Sequence, residues 1–345
     1  MTRVSTAVVL AYVAWAVPSV AQNNDAHEQR SFELRYTVDL LECPPRPLSD
    51  SELVGGALIR PFRFAGAFSG SGQVIVLAVN EVVIQLDVAT GKIAPVSIES
   101  GATRYVHAAV SSAEHSVAVL SASGLFRIDI GGSAKEIGLT LPGSSAKWAA
   151  AGQGGLVAAW THDSRNLWVA DTADEHGAWT PLLGQGNVLW ADTDGHTIWC
   201  ARDAGHGQMS VCVKRPGKEV EVVASTERMA RICAKRLADS DMIVAAGVGL
   251  RVIEATRELD GVKVERSTQD RVLAGLGIVD QNRAVAVTHD RMLLYERGPT
   301  WSVREEWVAP HSIQGFLWNG IQSHAVIVFA DAGKVRLSLL HVRCK

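Results

Sequence analysis

A Thr-His-Asp triplet occurs twice in this chain, at positions 161–163 and 288–290, and each copy directly follows a short apolar run. Imidazole nitrogens and carboxylate oxygens are common protein ligands of divalent cations such as calcium, manganese and zinc. The candidate metal ligands are His162, Asp163, His289 and Asp290. Aspartate is also frequent in tight turns, where its side chain hydrogen-bonds the local backbone, so the alternative is a structural turn. A divalent metal is the one cofactor that the pattern allows, and no other is expected.

Three tryptophans form a second group of candidates. Trp148, Trp190 and Trp318 precede apolar runs by eight, seven and seven residues. Indole rings at the rim of a channel can stack on a sugar or hold a peptide, because they combine a large apolar face with one polar N–H group. The alternative is core packing, in which large aromatic side chains simply fill space between sheets.

Two of the five cysteines have a spacing that favours a bond. Cys200 and Cys212 are placed symmetrically about His206, which lies in a glycine-containing segment typical of a hairpin turn. In such a hairpin the two residues face each other on neighbouring strands, at a separation that a disulfide tolerates. The alternative is a pair of buried free thiols, since unpaired cysteine behaves as a small apolar side chain.

Familiar catalytic signatures do not occur in the sequence. The chain contains no G-x-S-x-G elbow, no H-E-x-x-H metal motif, no C-x-x-C-H haem site and no phosphate-binding glycine loop. Whether the protein is an enzyme is therefore uncertain from the sequence, and a non-catalytic role is favoured.

The spacing of short apolar runs indicates the fold that positions the candidate histidines, aspartates, tryptophans and cysteines. Seven of them recur at intervals of 40 to 45 residues, and they begin at Val74, Ser116, Leu156, Thr197, Met242, Arg283 and Ala325. Runs of five to seven residues separated by Gly, Asn and Asp are typical of strands and turns. The interval matches one four-stranded blade, so the sequence predicts an all-β, seven-bladed β-propeller.

The two ends of the chain are expected to close the ring. The seventh repeat ends before an outer strand is complete, while the segment from Phe32 to Leu41 alternates like a strand and precedes the first repeat. We expect this segment to complete the last blade, because closure removes an open sheet edge. The same placement predicts a second disulfide, between Cys43 and Cys344, with Cys233 left as a free thiol.

One turn carries a family resemblance. The segment LDVATGK, from Leu86 to Lys92, is similar to the strand-and-turn ending of WD40-like, YVTN-like and quinoprotein-like propeller repeats. The other repeats share the rhythm without fixed residues. The resemblance is therefore to the β-propeller superfamily, with no specific family, and it implies the propeller fold.

The N-terminus reads as a secretory leader. Arg3 is followed by an apolar stretch at 4–17, a proline and small residues up to position 21. The stretch is shorter than the roughly 20 residues that span a bilayer, so no transmembrane segment is expected. We therefore assign 1–21 to a signal peptide and 22–345 to a single propeller domain, in a secreted or periplasmic protein of bacterial type.

The balance of charged residues indicates which classes of binding partner are expected. The chain has 33 Lys plus Arg against 36 Asp plus Glu, and no long basic run. Nucleic acid is not expected, because phosphate binding draws on clustered basic residues. The leading hypothesis is a binding or scaffolding module for a protein or glycan partner. The alternative is a metal-assisted hydrolase or lyase with its site at the mouth of the central channel.

Overall fold

The computed structural model describes residues 31–42, 64–79, 82–96, 106–121, 124–131, 134–136, 148–161, 166–172, 178–183, 187–229, 231–237, 240–247, 249–256, 262–266, 275–331 and 333–343. The regular elements in these ranges are all β-strands. Within them, no helix is long and apolar enough to cross a bilayer. The expected leader at 1–21 lies outside the described residues.

These strands form seven four-stranded antiparallel sheets. β1 spans Phe32–Glu42 and belongs to the last of them. Sheet 1 contains β2 (Phe64–Phe68), β3 (Val74–Val79), β4 (Val82–Asp87) and β5 (Ile93–Pro95). Sheet 2 contains β6 (Val106–Ala113), β7 (Ser116–Ser121), β8 (Gly124–Asp129) and β9 (Ala134–Glu136). Sheet 3 contains β10 (Trp148–Gln153), β11 (Leu156–Thr161), β12 (Leu167–Asp171) and β13 (Thr180–Leu183).

The remaining sheets follow the same order along the chain. Sheet 4 contains β14 (Val188–Asp194), β15 (Thr197–Gly205), β16 (Gln208–Lys214) and β17 (Val220–Glu227). Sheet 5 contains β18 (Arg231–Arg236), β19 (Ser240–Gly247), β20 (Gly249–Thr256) and β21 (Val262–Arg266). Sheet 6 contains β22 (Gly275–Asp280), β23 (Arg283–Val287), β24 (Arg291–Arg297) and β25 (Trp301–Val308). Sheet 7 contains β26 (Ile313–Asn319), β27 (His324–Asp331), β28 (Lys334–Val342) and β1.

Each apolar run in the sequence forms the second strand of a sheet. β3 and β7, for example, are buried at every position. The neighbouring sheets cover both faces of a second strand, and the first and third strands of its own sheet cover both of its edges. This explains why these runs are continuously apolar rather than alternating. The all-β propeller predicted from the sequence is confirmed.

Apolar side chains also fill every space between sequential sheets. Separate buried clusters lie between sheets 1 and 2, 2 and 3, 3 and 4, 4 and 5, 5 and 6, and 6 and 7, and a further cluster joins sheet 7 to sheet 1. The first strand of each sheet contacts the first strand of the next, and β26 contacts β2 in the same way. Stability therefore comes from seams between neighbouring sheets.

The N-terminal strand occupies the outer position of sheet 7. β1 pairs antiparallel with β28 over its full length, from Phe32 opposite Val342 to Glu42 opposite Lys334. Asp39 accepts hydrogen bonds from Lys334 (2.7 Å) and Arg336 (2.8 Å). The Lys334 bond, with Arg336 beside it, lowers the pKa of the Asp39 carboxyl. These ion pairs connect segments almost 300 positions apart in sequence.

Neighbouring sheets hold the same strand from its sides. The Glu305 carboxylate on β25 accepts the backbone N–H groups of Ser31 (2.8 Å) and Phe32 (3.4 Å). On the opposite side, the Tyr36 hydroxyl donates to the carbonyl of Val88 in sheet 1 at 2.9 Å. Sheets 6 and 1 therefore both contact β1 through polar bonds.

The antiparallel order gives the molecule two distinct faces. We call the upper face the one at which the first strand of each sheet begins. Turns between second and third strands, and connections from one sheet to the next, lie on that face. Turns between first and second strands lie on the lower face, as do those between third and fourth strands.

Candidate functional site

The second Thr-His-Asp triplet forms the upper-face turn between β23 and β24. The carbonyl of His289 accepts the N–H of Ile313 (2.7 Å), and the carbonyl of Asp290 accepts the N–H of Ala309 (2.8 Å). The turn therefore binds both ends of the connection that leads from sheet 6 to sheet 7. Its backbone positions that connection.

The side chains of the triplet are engaged in the same local network. His289 Nε2 lies 2.8 Å from the hydroxyl of Ser312, and the Thr288 hydroxyl donates to the Asp290 carboxylate at 3.4 Å. Arg291 forms an ion pair with Asp290 at 3.7 Å. This arrangement is the structural turn that stood as the alternative to a metal site.

The predicted metal site finds no complete ligand set in the described part of the chain. Among these residues, no three His, Cys, Asp or Glu side chains come close enough together to hold an ion. His289 and Asp290 are described, whereas His162 and Asp163 lie outside the described residues. His289 and Asp290 both bond within the turn, and because the other two candidate ligands are not described, the metal site and the hydrolase or lyase alternative stay predictions.

The three tryptophans occupy different levels of the propeller. Trp148 begins β10 at the upper face, opposite Thr161, whereas Trp318 lies near the lower end of β26. Trp190 is half-buried on β14 and packs against the apolar cluster between sheets 4 and 5. Trp190 and Trp318 therefore both contribute to packing between sheets, whereas nothing is described of the Trp148 side chain, and a ligand role for the three stays a prediction.

Trp318 shows this packing in detail. A Cβ atom at Gly277 on the neighbouring first strand would come within 2.5 Å of the Trp318 ring carbon Cγ. The indole N–H donates to the carbonyl of Ile278 at 3.1 Å. The same relation recurs at the upper end of this seam and at the next one, where Gly275 lies under Phe316 and Gly315 lies under Phe64. Glycine on one first strand thus makes room for an aromatic ring on the next.

Cys200 and Cys212 are directly opposite each other on β15 and β16, as the hairpin prediction required. Both are free thiols, and both are buried between sheets 3 and 4. Cys233 is also a free thiol, on the first strand of sheet 5. Burial raises the pKa of Cys233 well above its usual range, which disfavours the reactive thiolate form.

The second predicted disulfide started from a wrong premise. Cys43 and Cys344 lie outside the described residues, but their chain neighbours Glu42 and Arg343 are described. Because β1 and β28 are antiparallel, Glu42 lies opposite Lys334, at the end of β28 remote from Arg343. That strand is roughly 25 Å long at the usual rise per residue. The prediction assumed that both strands end at the same face, and they do not.

Polar side chains along the central channel were missed by the sequence analysis. The first strand of each sheet has one edge that no strand pairs, and its backbone groups need other partners. The Asp194 carboxylate accepts the N–H of Arg236 at 3.0 Å. Asp192, two residues earlier, accepts the N–H groups of Thr193 and Ala234. Two alternate residues of β14 therefore bind alternate residues of β18.

Burial changes the acid strength of one of these carboxyls. The side chain of Asp192 is enclosed by the first strands and reaches solvent only in part. Burial away from water raises the pKa of Asp192 to about 7, although the hydrogen bonds from its two N–H donors act to lower it. On the lower side of the channel, the Lys235 ammonium donates to the carbonyls of Val279 and Gly320, each at 3.4 Å, and so connects sheet 5 with sheets 6 and 7.

The most prominent feature of the upper face is a hairpin of sheet 4, which we call the crest: residues 203–209 with residues 226–228. The first strand ends its pairing at Val188, opposite Arg202, but the second strand continues to Gly205. Three further residues extend the hairpin by about 10 Å. In the other described sheets the second strand continues by two residues at most beyond its last partner on the first strand.

Local bonds fix the shape of the crest. Its two-residue turn, His206 and Gly207, has positive φ angles of 52° and 74°, as a tight hairpin turn requires. The Asp203 carboxylate accepts the N–H of Gly205 at 2.9 Å, and the N–H of Arg228 donates to the carbonyl of Gly207 at 2.7 Å. Buried Met209 anchors the base. The crest is a rigid, largely exposed projection.

The comparisons with known proteins agree on the fold. No protein-family model and no curated protein matches the sequence. A chain in the crystal structure of the mitotic checkpoint complex superposes with a TM-score of 0.64 and 11% identity, over 94% of this chain and 100% of that one. The chain has a WD40-like β-propeller fold.

Two further propellers support the same conclusion. The β-propeller domain of Myceliophteria thermophila Cps50 (Swd1) gives a TM-score of 0.60 at 11% identity, over 81% of this chain and 96% of that one. The RRP9 WD40 repeats give 0.58 at 14% identity, over 81% and 97%. Local bonds hold the turn that carries the resemblance: the Asp87 carboxylate accepts the N–H and the hydroxyl of Thr90, both at 2.7 Å.

Proposed function

We propose that this protein is an exported scaffold for protein–protein interaction, built as a closed ring of seven blades that presents its upper face to a protein partner. The observation that carries the proposal is the crest. Beyond Met209 at its base, the hairpin extends past the seams, so its exposed tip adds nothing to the packing between sheets. Its rigid turn and exposed polar side chains suit recognition of another molecule.

Ring closure is supported by the two sides of sheet 7. Its outer strand β1 bonds to β28, and apolar clusters join sheet 7 both to sheet 6 and to sheet 1. A closed ring of packed blades holds its upper-face turns at fixed positions. Fixed positions lower the entropy that a binding surface loses when it captures a partner.

A protein partner suits the crest better than a glycan. The exposed crest residues His206, Gln208, Glu227 and Arg228 offer hydrogen-bond donors and acceptors with both signs of charge. Glycan sites rely on flat aromatic surfaces, whereas Trp190 and Trp318 are used in the seams between sheets. We therefore infer a folded partner with a polar surface. Among the structural neighbours, one chain belongs to a complex, the mitotic checkpoint complex.

Site-specific photo-crosslinking tests the surface directly. A benzophenone amino acid is placed at Gln208 on the crest, and at Lys218, an exposed lower-face residue of the same sheet, as the matched control. Each variant is expressed in the source organism and irradiated. We expect a discrete covalent adduct from position 208 and none from position 218.

A second variant distinguishes loss of binding from loss of folding. Arg228→Glu reverses one crest charge and should abolish the adduct from position 208, while the circular dichroism spectrum and the melting temperature stay unchanged. Equal adducts from both faces, or none from the crest, would refute the crest as a docking surface.

Export rests on the leader in the sequence, and it has its own test. We propose that cleavage precedes Gln22. Mass spectrometry of protein recovered outside the cytoplasm should give an N-terminal peptide that begins at Gln22. Recovery of the full-length chain from the cytoplasm alone would refute export and would leave the interaction proposal untouched.

A further inference from the structure

We infer that Cys200 and Cys212 form a reversible disulfide site that is set while the chain folds and is then sealed between sheets 3 and 4. The inference concerns covalent modification of the chain and does not depend on the proposed binding function. It starts from the register of β15 and β16, in which the two cysteines are directly opposite.

Distance favours the bond. Directly opposite residues of an antiparallel pair have Cβ atoms about 4.5–5.5 Å apart, and a disulfide needs about 3.5–4.5 Å. A closing movement of roughly 1 Å is enough. The two thiols also interact, since a hydrogen bond between them shifts the pKa of each.

The contact also makes the two sulfurs unequal. The hydrogen bond from Cys200 lowers the pKa of Cys212, while the same bond and burial raise the pKa of Cys200. A lowered pKa increases the fraction of thiolate, which is the form that attacks a disulfide. Cys212 is therefore the first nucleophile once the hairpin β15–β16 has paired and before sheet 3 covers it.

The redox step balances with a small disulfide as the oxidant. The Cys212 thiolate attacks one sulfur of oxidised glutathione, forms a mixed disulfide and releases one glutathione thiolate. The Cys200 thiolate then attacks the Cys212 sulfur and releases the second glutathione thiolate. The protein loses two protons and two electrons, and one oxidised glutathione takes them up to become two reduced glutathione molecules.

Burial controls when this exchange can occur. In the folded protein Cys200 is 2% exposed and Cys212 is 1% exposed, beneath an apolar layer that includes Ala158, Leu167 and Ala191. Glutathione cannot reach either sulfur without opening of the seam. The hairpin β15–β16 is local in sequence and can pair before sheet 3 packs on it. The two cysteines therefore keep, in the folded protein, the oxidised or reduced state that they had when sheet 3 packed on the hairpin.

The experiment uses the chain without its leader and with Cys43→Ser and Cys344→Ser, which leaves three cysteines. The protein is refolded from denaturant in a buffer with excess oxidised glutathione, or in one with only reduced glutathione. It is then denatured, alkylated with iodoacetamide and analysed by peptide mass spectrometry. We expect alkylation of Cys233 alone after oxidative refolding, with Cys200 and Cys212 joined, and alkylation of all three after reductive refolding.

The sealing claim needs a second measurement. Protein folded in the reduced state is exposed to oxidised glutathione with and without denaturant. We expect the bond to form quickly only when denaturant is present. The variant Cys200→Ala with Cys212→Ala, which keeps small apolar side chains at both positions, should fold in both buffers and show that neither thiol is needed for the fold.

Each other outcome overturns a defined part of the inference. Free Cys200 and Cys212 after oxidative refolding, a lasting mixed disulfide with glutathione, or a bond to Cys233 would each refute the site. Equally fast oxidation of the folded and the unfolded chain would refute the sealing.

Discussion

The ion pair between Arg215 and Asp241 offers the sharpest test of how the sheets hold together. Arg215 follows β16 on the lower face of sheet 4, and Asp241 lies near the start of β19 in sheet 5. Arg215 Nη2 donates to Asp241 Oδ2 at 2.6 Å. The Asp241 side chain is 4% exposed and that of Arg215 is 20% exposed. The pair therefore crosses a seam in a largely dry environment.

The magnitude follows from burial. With an effective dielectric constant near 20 and charge centres about 4 Å apart, the attraction is about 4 kcal/mol. Removal of one partner of a buried pair costs about 3–5 kcal/mol, because the other charge stays buried without compensation. For Arg215→Met we expect the free energy of unfolding to fall by about 3 kcal/mol, at the lower end of that range, since Arg215 retains some solvent contact.

Urea denaturation measures this loss, and an exposed pair supplies the control. Arg291 and Glu306 are 2.9 Å apart, with side chains 46% and 48% exposed, so Arg291→Met should have a much smaller effect than Arg215→Met. The double variant Arg215→Met with Asp241→Asn removes the charge stranded at Asp241 and should be more stable than Arg215→Met alone. Glu221, which Arg215 also binds at 3.0 Å, loses its partner in both variants and is 34% exposed. If Arg215→Met and Arg291→Met cost the same, or if the double variant recovers nothing, the argument from burial is wrong.

Two further predictions concern the first strands. Gly277→Ala places a Cβ atom 2.5 Å from the Trp318 ring and should lower the free energy of unfolding by about 1–3 kcal/mol. The control Gly298→Ala, whose new Cβ atom has its nearest neighbour at 3.7 Å, should be neutral or slightly stabilising. Equal effects of the two variants in urea denaturation would contradict the aromatic packing. The pKa of Asp192 is raised to about 7 in the folded protein from an ordinary value of 3.8. Between these pH values the folded state binds more protons than the unfolded state, so the stability of the wild-type protein should decline as the pH rises through that window. Asp192→Asn should therefore gain stability relative to wild type from pH 4 to pH 7 and level off above it, and a difference that is constant with pH would exclude this carboxyl as the source.

The order of strands was predictable because burial repeats even where residues do not. Each apolar run became a second strand, since only that position is covered on every side, and the interval between runs then gave the length of a sheet. The strand at Phe32 was predictable from its alternation and from the incomplete last repeat. The premise behind the Cys43–Cys344 prediction was wrong, because an antiparallel pair brings the end of one strand to the start of the other, which composition and spacing do not reveal. Both cysteines lie outside the described residues, so the bond itself stays a prediction.

The candidate site was less predictable, because the same residue types serve binding and structure. The Thr-His-Asp turn at 288–290 suits a metal by composition, but its side chains bond to Ser312, Arg291 and one another. The role of Trp318 depends on Gly277, which is more than 40 positions away on another strand. A signal for the crest did exist: the Gly-His-Gly tip between Cys200 and Cys212 marks a longer hairpin than the other repeats have.

The seams explain how the fold can persist while the sequence changes. Every seam must fill the space between two sheets and satisfy the free edge of a first strand, but each does so with different residues. The seam between sheets 4 and 5 uses Asp192 and Asp194 to bind backbone N–H groups, whereas the seam between sheets 6 and 7 uses Trp318 to bind a carbonyl and cover a glycine. All seams share this physical requirement but meet it with different side chains, so a stable propeller needs the interval and the burial of the second strands and does not need a fixed motif. Identities of 11% and 14% with propellers of the same architecture are what this requirement allows.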